Sequence, residues 1–128
     1  AVFTPLELGT VGFSEDKAIE VFGADKVDCV VSEFAPLEWS VAEDHHSGVH
    51  CMAKVVLNTT QSDPAVVGLH IASPNAGEIM QGLALAFRKG LRKSDLLDTV
   101  GIHPTIAEEF TTMKVLKSSG ESTQKAGC

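Results

Sequence analysis

At 128 residues the chain has the length of one domain, and a 44% hydrophobic content is enough for a single core. The net charge of −7, from 17 carboxylates against 10 lysines and arginines with no basic stripe, argues against nucleic acid as the main partner. No apolar run approaches the ~20 residues of a membrane span, and no basic start leads into an apolar stretch, so neither a spanning helix nor a signal peptide is legible.

In chain order, residues 10–13 read as a short strand. Ser14-Glu15-Asp16-Lys17 reads as a capped helix start, with Ala18, Ile19 and Phe22 on one face and a stop at Gly23. Residues 27–34 are rich in valine and read as a strand. Residues 36–46 are mixed and hold the only tryptophan, Trp39. Strands are expected over 49–57 and 65–72, joined by a polar hairpin segment. Residues 75–88 read as a helix, with Ile79, Leu83 and Phe87 on one face beside Met80, stopped by Gly90. A short helix begins at Ser94, and a last helix is expected over 105–116. From Lys117 the composition turns to Ser, Gly, Lys and Gln, which reads as a mobile tail over 117–128 after a domain of 1–116. The order β-α-β-β-β-α-α-α predicts an α+β fold, an antiparallel sheet with helices packed on one face.

Three cysteines form no CxxC pair. Cys29 and Cys51 sit in apolar strand-like runs and read as small buried hydrophobes, a cytosolic pattern. Cys128 is the last residue, at the end of the tail. His45, His46, His50 and Cys51, with Asp44, resemble a metal cluster, but their spacing fits no zinc template and a strand would send His50 and Cys51 to opposite faces. They read as structural or solvated side chains, and no metal is expected. Asn75-Ala76-Gly77 lacks the phosphate-loop patterns and reads as a helix cap.

The most informative stretch is Gly101-Ile102-His103-Pro104-Thr105-Ile106-Ala107-Glu108-Glu109-Phe110. Pro104 restricts His103 to an extended or turn conformation at a rigid corner. Imidazole titrates near neutral pH, and a carboxylate five residues on is placed to orient the ring. Such a group is suited to protonating a leaving thiolate. Thr105-Ile106-Ala107-Glu108 also fits a capping box, with Glu108 reaching back to the Thr105 amide. Both readings stay open on these residues alone. Glu109 is expected to face away as a solvated charge.

This segment closely resembles the His-Pro-Thr-x-x-Glu-Glu motif of the flavin-dependent pyridine-nucleotide disulfide reductases. Ser73-Pro74-Asn75-Ala76-Gly77-Glu78-Ile79-Met80-Gln81-Gly82 resembles that family's Gly-Glu-x-x-Gln-Gly helix start. Phe3-Thr4-Pro5-Leu6-Glu7 and Val11-Gly12-Phe13-Ser14-Glu15 are similar to its opening strand and first helix start. Pro36-Leu37-Glu38-Trp39 is similar to the thioredoxin reductase branch, which includes the thioredoxin–glutathione reductases of animals. The matches run from Val2 to Cys128.

The resemblance implies the C-terminal dimerisation domain of a homodimeric, NADPH- and FAD-dependent enzyme, both cofactors being bound mainly by other segments. It implies that His103 is the acid–base catalyst for the partner subunit's active site and that Glu108 orients it. The His103–Pro104 bond is commonly cis in that family, and His103 and Pro104 would lie close to the partner's FAD. Ala126-Gly127-Cys128 resembles the start of a Gly-Cys-Sec-Gly terminus, which makes Cys128 a resolving redox cysteine. The implied substrates are thioredoxin and, as a second candidate, glutathione disulfide. The implied setting is cytoplasmic, with a mitochondrial one also compatible. The dimer interface is expected from the helix at Asn75 and the last helix. The rival reading is a non-catalytic dimerisation module of a glutathione reductase-like flavoprotein. Ala1 in place of Met fits a piece of a longer chain or a processed one.

Overall fold

A computed structural model describes residues 1–41 and 48–125. Four strands, β1 (Glu7–Gly12), β2 (Val27–Phe34), β3 (Cys51–Asn58) and β4 (Ala65–Ser73), form an antiparallel sheet in the order β1-β4-β3-β2. Helix α1 (Glu15–Phe22) joins β1 to β2, and α2 (Ala76–Phe87), α3 (Lys93–Asp98) and α4 (Glu109–Thr112) follow β4.

Strand alternation sets the two faces. Val30, Phe34, Cys51, Ala53, Val55, Leu57, Leu69 and Ile71 point to one side, where Ala76 and Met80 of α2, Leu96 of α3 and Phe110 of α4 complete the main core. Cys29 and Val56 point to the other side, where Ala18 of α1 covers them in a smaller cluster. The antiparallel α+β architecture is the expected one. Three helices share the main face, and α1 alone lies on the opposite face. Near the end of β3, Val56 pairs with Gly68 and Leu57 with Val66. The intervening Val67 bulges and packs with the α1 cluster.

Helix α1 follows its sequence signals. The Ser14 hydroxyl accepts from the Lys17 N–H at 3.2 Å, Glu15 and Asp16 occupy the first turn, and Gly23, at φ 95°, closes the end. Helix α2 lies directly on β1 because Gly9 has no side chain. A Cβ there would stand 2.7 Å from the Ala76 carbonyl oxygen and 3.0 Å from the Met80 Cβ.

The last helix is much shorter than expected. It occupies only Glu109–Thr112, and Met113 leaves it with ψ 127°. The outer edge of β2 captures the chain that follows. The Val31 N–H donates to the Val115 carbonyl at 3.3 Å, and Leu116 bridges to Val30. Residues 117–125, which read as a free tail, continue along the same edge. The Glu33 N–H donates to the Thr123 carbonyl at 2.8 Å, and the Lys125 N–H donates to the Glu33 carbonyl at 2.9 Å. An exposed strand edge is a row of unmet backbone donors and acceptors, and this segment meets part of it. Its polar side chains also find partners. The Ser118 hydroxyl donates to Asp28, and Lys117 reaches α1.

That last contact has a pH consequence. Glu15 accepts from Lys117 Nζ at 2.8 Å and from Lys54 Nζ at 2.5 Å. The two ammonium groups, Lys117 first, hold the Glu15 carboxyl at about 2, well below the usual carboxylate range. A depressed folded-state value means stability that is present above the unfolded value of about 4.3 and lost as pH falls toward the folded value. Glu15→Gln is therefore expected to lower the melting temperature at pH 7 and to flatten its decline between about pH 5 and pH 2. Thermal unfolding across that range checks this. A variant whose acid limb parallels that of the unmodified chain would remove Glu15 from the account.

Candidate active site

A groove of about 590 Å³ opens between residues 34–38, the start of α2 at Asn75 and Ile79, and residues 103–109. Three separate stretches of chain meet there. Phe34 ends β2, and Pro36, Leu37 and Glu38 form the short turn after it. Asn75 opens α2 in the left-handed region at φ 58°, a conformation asparagine tolerates better than most residues. Its side chain does not cap the helix. The free Gly77 N–H donates instead to Glu7 of β1 at 3.0 Å.

The third wall carries the histidine. The His103–Pro104 bond is cis. The imidazole stands 60% exposed at the groove, with Nδ1 3.0 Å from Oε1 of Glu108, itself only 18% exposed. A carboxylate can only accept, so Nδ1–H donates to it and Nε2 is left as the second ring nitrogen. The capping box does not form as a helix cap: α4 starts only at Glu109 with no side-chain cap. The Glu108 N–H donates to the Thr105 hydroxyl at 3.3 Å in the turn before it, and the Glu108 carboxylate goes to His103.

Two features hold the pair in register. Phe110 and Met113 are buried in the main core and pin α4 to the sheet. Gly101 lets the chain before His103 pass against α4. A Cβ there would stand 2.7 Å from the Thr111 hydroxyl and 2.8 Å from the Glu108 Cβ. Gly101, Asn75, Ile79, Leu37 and Glu38 were not singled out as site residues. All of them lay inside the quoted motifs, but only three-dimensional proximity brings those motifs together at one site.

Glu109 departs from expectation. It is 13% exposed rather than solvated, its Oε2 accepts from the Ser32 hydroxyl at 3.0 Å, and it pairs with Lys125 Nζ at 2.7 Å. Ser32 is buried in β2, and a buried hydroxyl needs a partner. Cys128 lies outside the described residues, as do Asp44, His45 and His46. Of the remaining members of that histidine cluster, His50 is exposed and Cys51 is fully buried. Among the described residues no helix is long and apolar enough to cross a membrane.

Burial pushes the thiols of Cys29 and Cys51 up to about 11. Only the thiolate is the nucleophile, so both are inert at neutral pH. Iodoacetamide at pH 8 is expected to leave Cys29 and Cys51 of the folded chain unlabelled while alkylating Cys128, with mass spectrometry of peptides as the readout. Equal labelling at all three would contradict the packing around the sheet.

Residues 1–114 match the family described as pyridine nucleotide-disulphide oxidoreductase, dimerisation domain. The chain belongs to this family. It is 46% identical over 127 residues to thioredoxin reductase SEP1 of Emiliania huxleyi, covering 99% of this chain and 25% of that protein. It is 44% identical over 127 residues to the mitochondrial thioredoxin reductase 2 of Drosophila melanogaster, covering 99% and 24%. It is also similar, at 39% over 141 residues, to a thioredoxin reductase of Plasmodium falciparum, covering 100% and 26%. The chain thus spans about a quarter of the length of these relatives.

Proposed function

We propose that this chain is the interface domain of a homodimeric, NADPH- and FAD-dependent disulfide reductase of the thioredoxin reductase type, and that it supplies His103 as the proton donor and acceptor at the partner's active site. The observation that carries this is the exposed His103 ring, oriented by the largely buried Glu108 at the wall of an open groove. A histidine kept only for structure has no need of a shielded carboxylate on its ring at the wall of an open groove. Residue similarity to three thioredoxin reductases supports the substrate class, a small protein disulfide.

The chain contains no Gly-x-Gly-x-x-Gly fingerprint, so it does not cradle a dinucleotide. Its His103–Pro104 turn fits a contact at the edge of a flavin held by other segments. When bound, that flavin supplies the transfer of an electron pair from NADPH to a disulfide. His103 hands a proton from Nε2 to the departing thiolate and takes one back when the thiol must attack. Glu108 holds Nδ1–H throughout, which keeps the ring in one orientation and offsets the charge it gains. Cys128 is the resolving cysteine that carries the exchange to the substrate, thioredoxin, and to glutathione disulfide if the parent is of the thioredoxin–glutathione type.

Phe110 and Met113 of the last helix are buried in the chain's own core, so any contribution of that helix to a subunit contact comes from its other side chains. Large apolar side chains left exposed here are Leu37 of the groove wall and Val100 and Ile102 just before His103. These fit a subunit contact continuous with the groove. The test is the full-length protein. It is expected to sediment as a dimer at micromolar concentration, and Cys128→Ser is expected to remain a dimer while losing turnover with thioredoxin. A monomer, or undiminished turnover in Cys128→Ser, would overturn the corresponding part of the reading.

A further inference from the structure

The groove beside His103 has an uneven lining. Phe34, Pro36, Leu37, Ile79, Pro104 and Ile106 supply apolar surface, and Leu37 stands 42% exposed. Three carboxylates also line it, from Glu38, Glu108 and Glu109, whereas no lysine or arginine does. Two of the three are already matched. Glu108 lies 3.0 Å from His103 Nδ1. Glu109 lies 2.7 Å from Lys125 Nζ and accepts from the Ser32 hydroxyl at 3.0 Å. Glu38 is different. It sits in the short turn after β2, it is exposed, and among the described residues it has no hydrogen-bond or ion-pair partner. A lone carboxylate in open water is a solvated charge and no more. This one stands on an apolar wall, where a charge is screened less, and the exposed Glu78, next to the groove residue Ile79, adds to its field.

We propose that Glu38 selects the substrate: the groove takes an apolar segment of a disulfide-bearing protein with a lysine or arginine beside its disulfide, and Glu38 pairs with that cation. This rests on the reading of the groove as the place where a disulfide meets His103. The apolar wall packs against the side chains of the segment and gives no preference of charge. The preference comes from the one carboxylate that the chain leaves unmatched. Specificity is a difference of affinities, and a single fixed charge serves both sides of it. It attracts a cationic flank and repels an anionic one. Small disulfides that carry their own carboxylates, glutathione disulfide among them, meet Glu38 as a like charge, and no lysine or arginine lines the groove to receive them. Glu38 does not touch the reacting atoms, so its substitution alters the choice of substrate and not the proton transfer at His103.

The experiment uses the full-length flavoenzyme with NADPH and a pair of synthetic peptides. Each holds a disulfide within the same apolar sequence, and they differ only in a lysine or a glutamate beside it. The readout is the ratio of kcat/KM for the lysine peptide to that for the glutamate peptide, in which a general loss of activity or folding cancels. The ratio is expected to be roughly threefold to tenfold in the unmodified enzyme at low salt, the scale of one partly exposed ion pair set against a like-charge contact. It should shrink in 1 M salt. Glu38→Gln should bring the ratio down toward unity, and Glu38→Lys should invert it. Glu20→Gln is the control for net charge. Glu20 is an exposed residue of α1, on the opposite face of the sheet, and its substitution should leave the ratio as it was. A peptide that binds without being reduced is scored by its inhibition constant against thioredoxin reduction. A ratio near unity in the unmodified enzyme, or one that Glu38→Gln does not change, overturns the proposal, as does a lysine peptide that neither reacts nor inhibits. Undiminished turnover in His103→Ala sinks the acid–base role instead, and a ratio that depends on Glu38 then still stands on its own.

Discussion

His103→Ala in the full-length protein is expected to lower turnover with a disulfide substrate by about 10²–10⁴-fold, the range that a positioned acid–base group supplies. Folding should be spared, because the side chain is 60% exposed and its hydrogen bond among the described residues is to Glu108, itself at the surface of the groove. Glu108→Gln should do less. It keeps the shape and a hydrogen-bonding oxygen beside Nδ1 and removes only the charge, so the loss should be smaller and accompanied by an altered pH–rate profile. Thr105→Ala is the control. It deletes the hydroxyl that accepts from the Glu108 N–H at 3.3 Å in the turn before α4, a hydrogen bond worth about 1 kcal/mol. It should lower the melting temperature slightly and leave turnover per folded enzyme unchanged. Steady-state kinetics of the three variants against pH separates the roles. Undiminished turnover in His103→Ala would reject the catalytic assignment and leave a dimerisation module.

Phe110→Ala is expected to destabilise the 128-residue chain by about 3–5 kcal/mol. Phe110 is 1% exposed and heads the fully buried side chains by volume. A domain of this size is stable by only about 5–15 kcal/mol, so the loss is a large share of the total. The effect should reach the site. Helix α4 has four residues, too few to hold itself without tertiary packing, and Glu108 is the residue that leads into it. Phe3→Ala is the contrasting variant. Phe3 is 77% exposed, and its removal should change stability by less than about 0.5 kcal/mol. Urea unfolding of both variants gives the comparison. A cost below 1 kcal/mol for Phe110→Ala would show that α4 is not anchored through this ring.

Elements stabilised by neighbours in sequence were legible. Strand β2 occupies residues 27–34 as read, because an alternating valine-rich run can bury both its faces in only one way. Helix α1 begins after Ser14 and ends at Gly23 because the cap residues are local. The His103–Glu108 pair was legible as one of two options, since five residues across a proline corner leave few geometries.

What local pattern could not reach is every contact between distant residues. The carboxylate of Glu109 was assigned to solvent because its partner Ser32 is 77 residues away. The end of the last helix was misplaced because Leu116 pairs with Val30 of β2, and a strand edge in need of partners outweighs the weak helix preference of a few residues. Asn75-Ala76-Gly77 was read as the cap of α2, but the oxygen that takes the Gly77 N–H belongs to Glu7, 70 residues before Gly77. The groove is the largest case. Most residues of its three walls were visible as motifs, yet nothing in their spacing along the chain says that they face one another. Periodicity and caps decide which segments are strands and helices, since those depend on backbone groups a few residues apart. Which carboxylate serves the histidine, which one holds the C-terminal segment, and where a substrate meets the chain are decided only when burial of the common core brings those segments together.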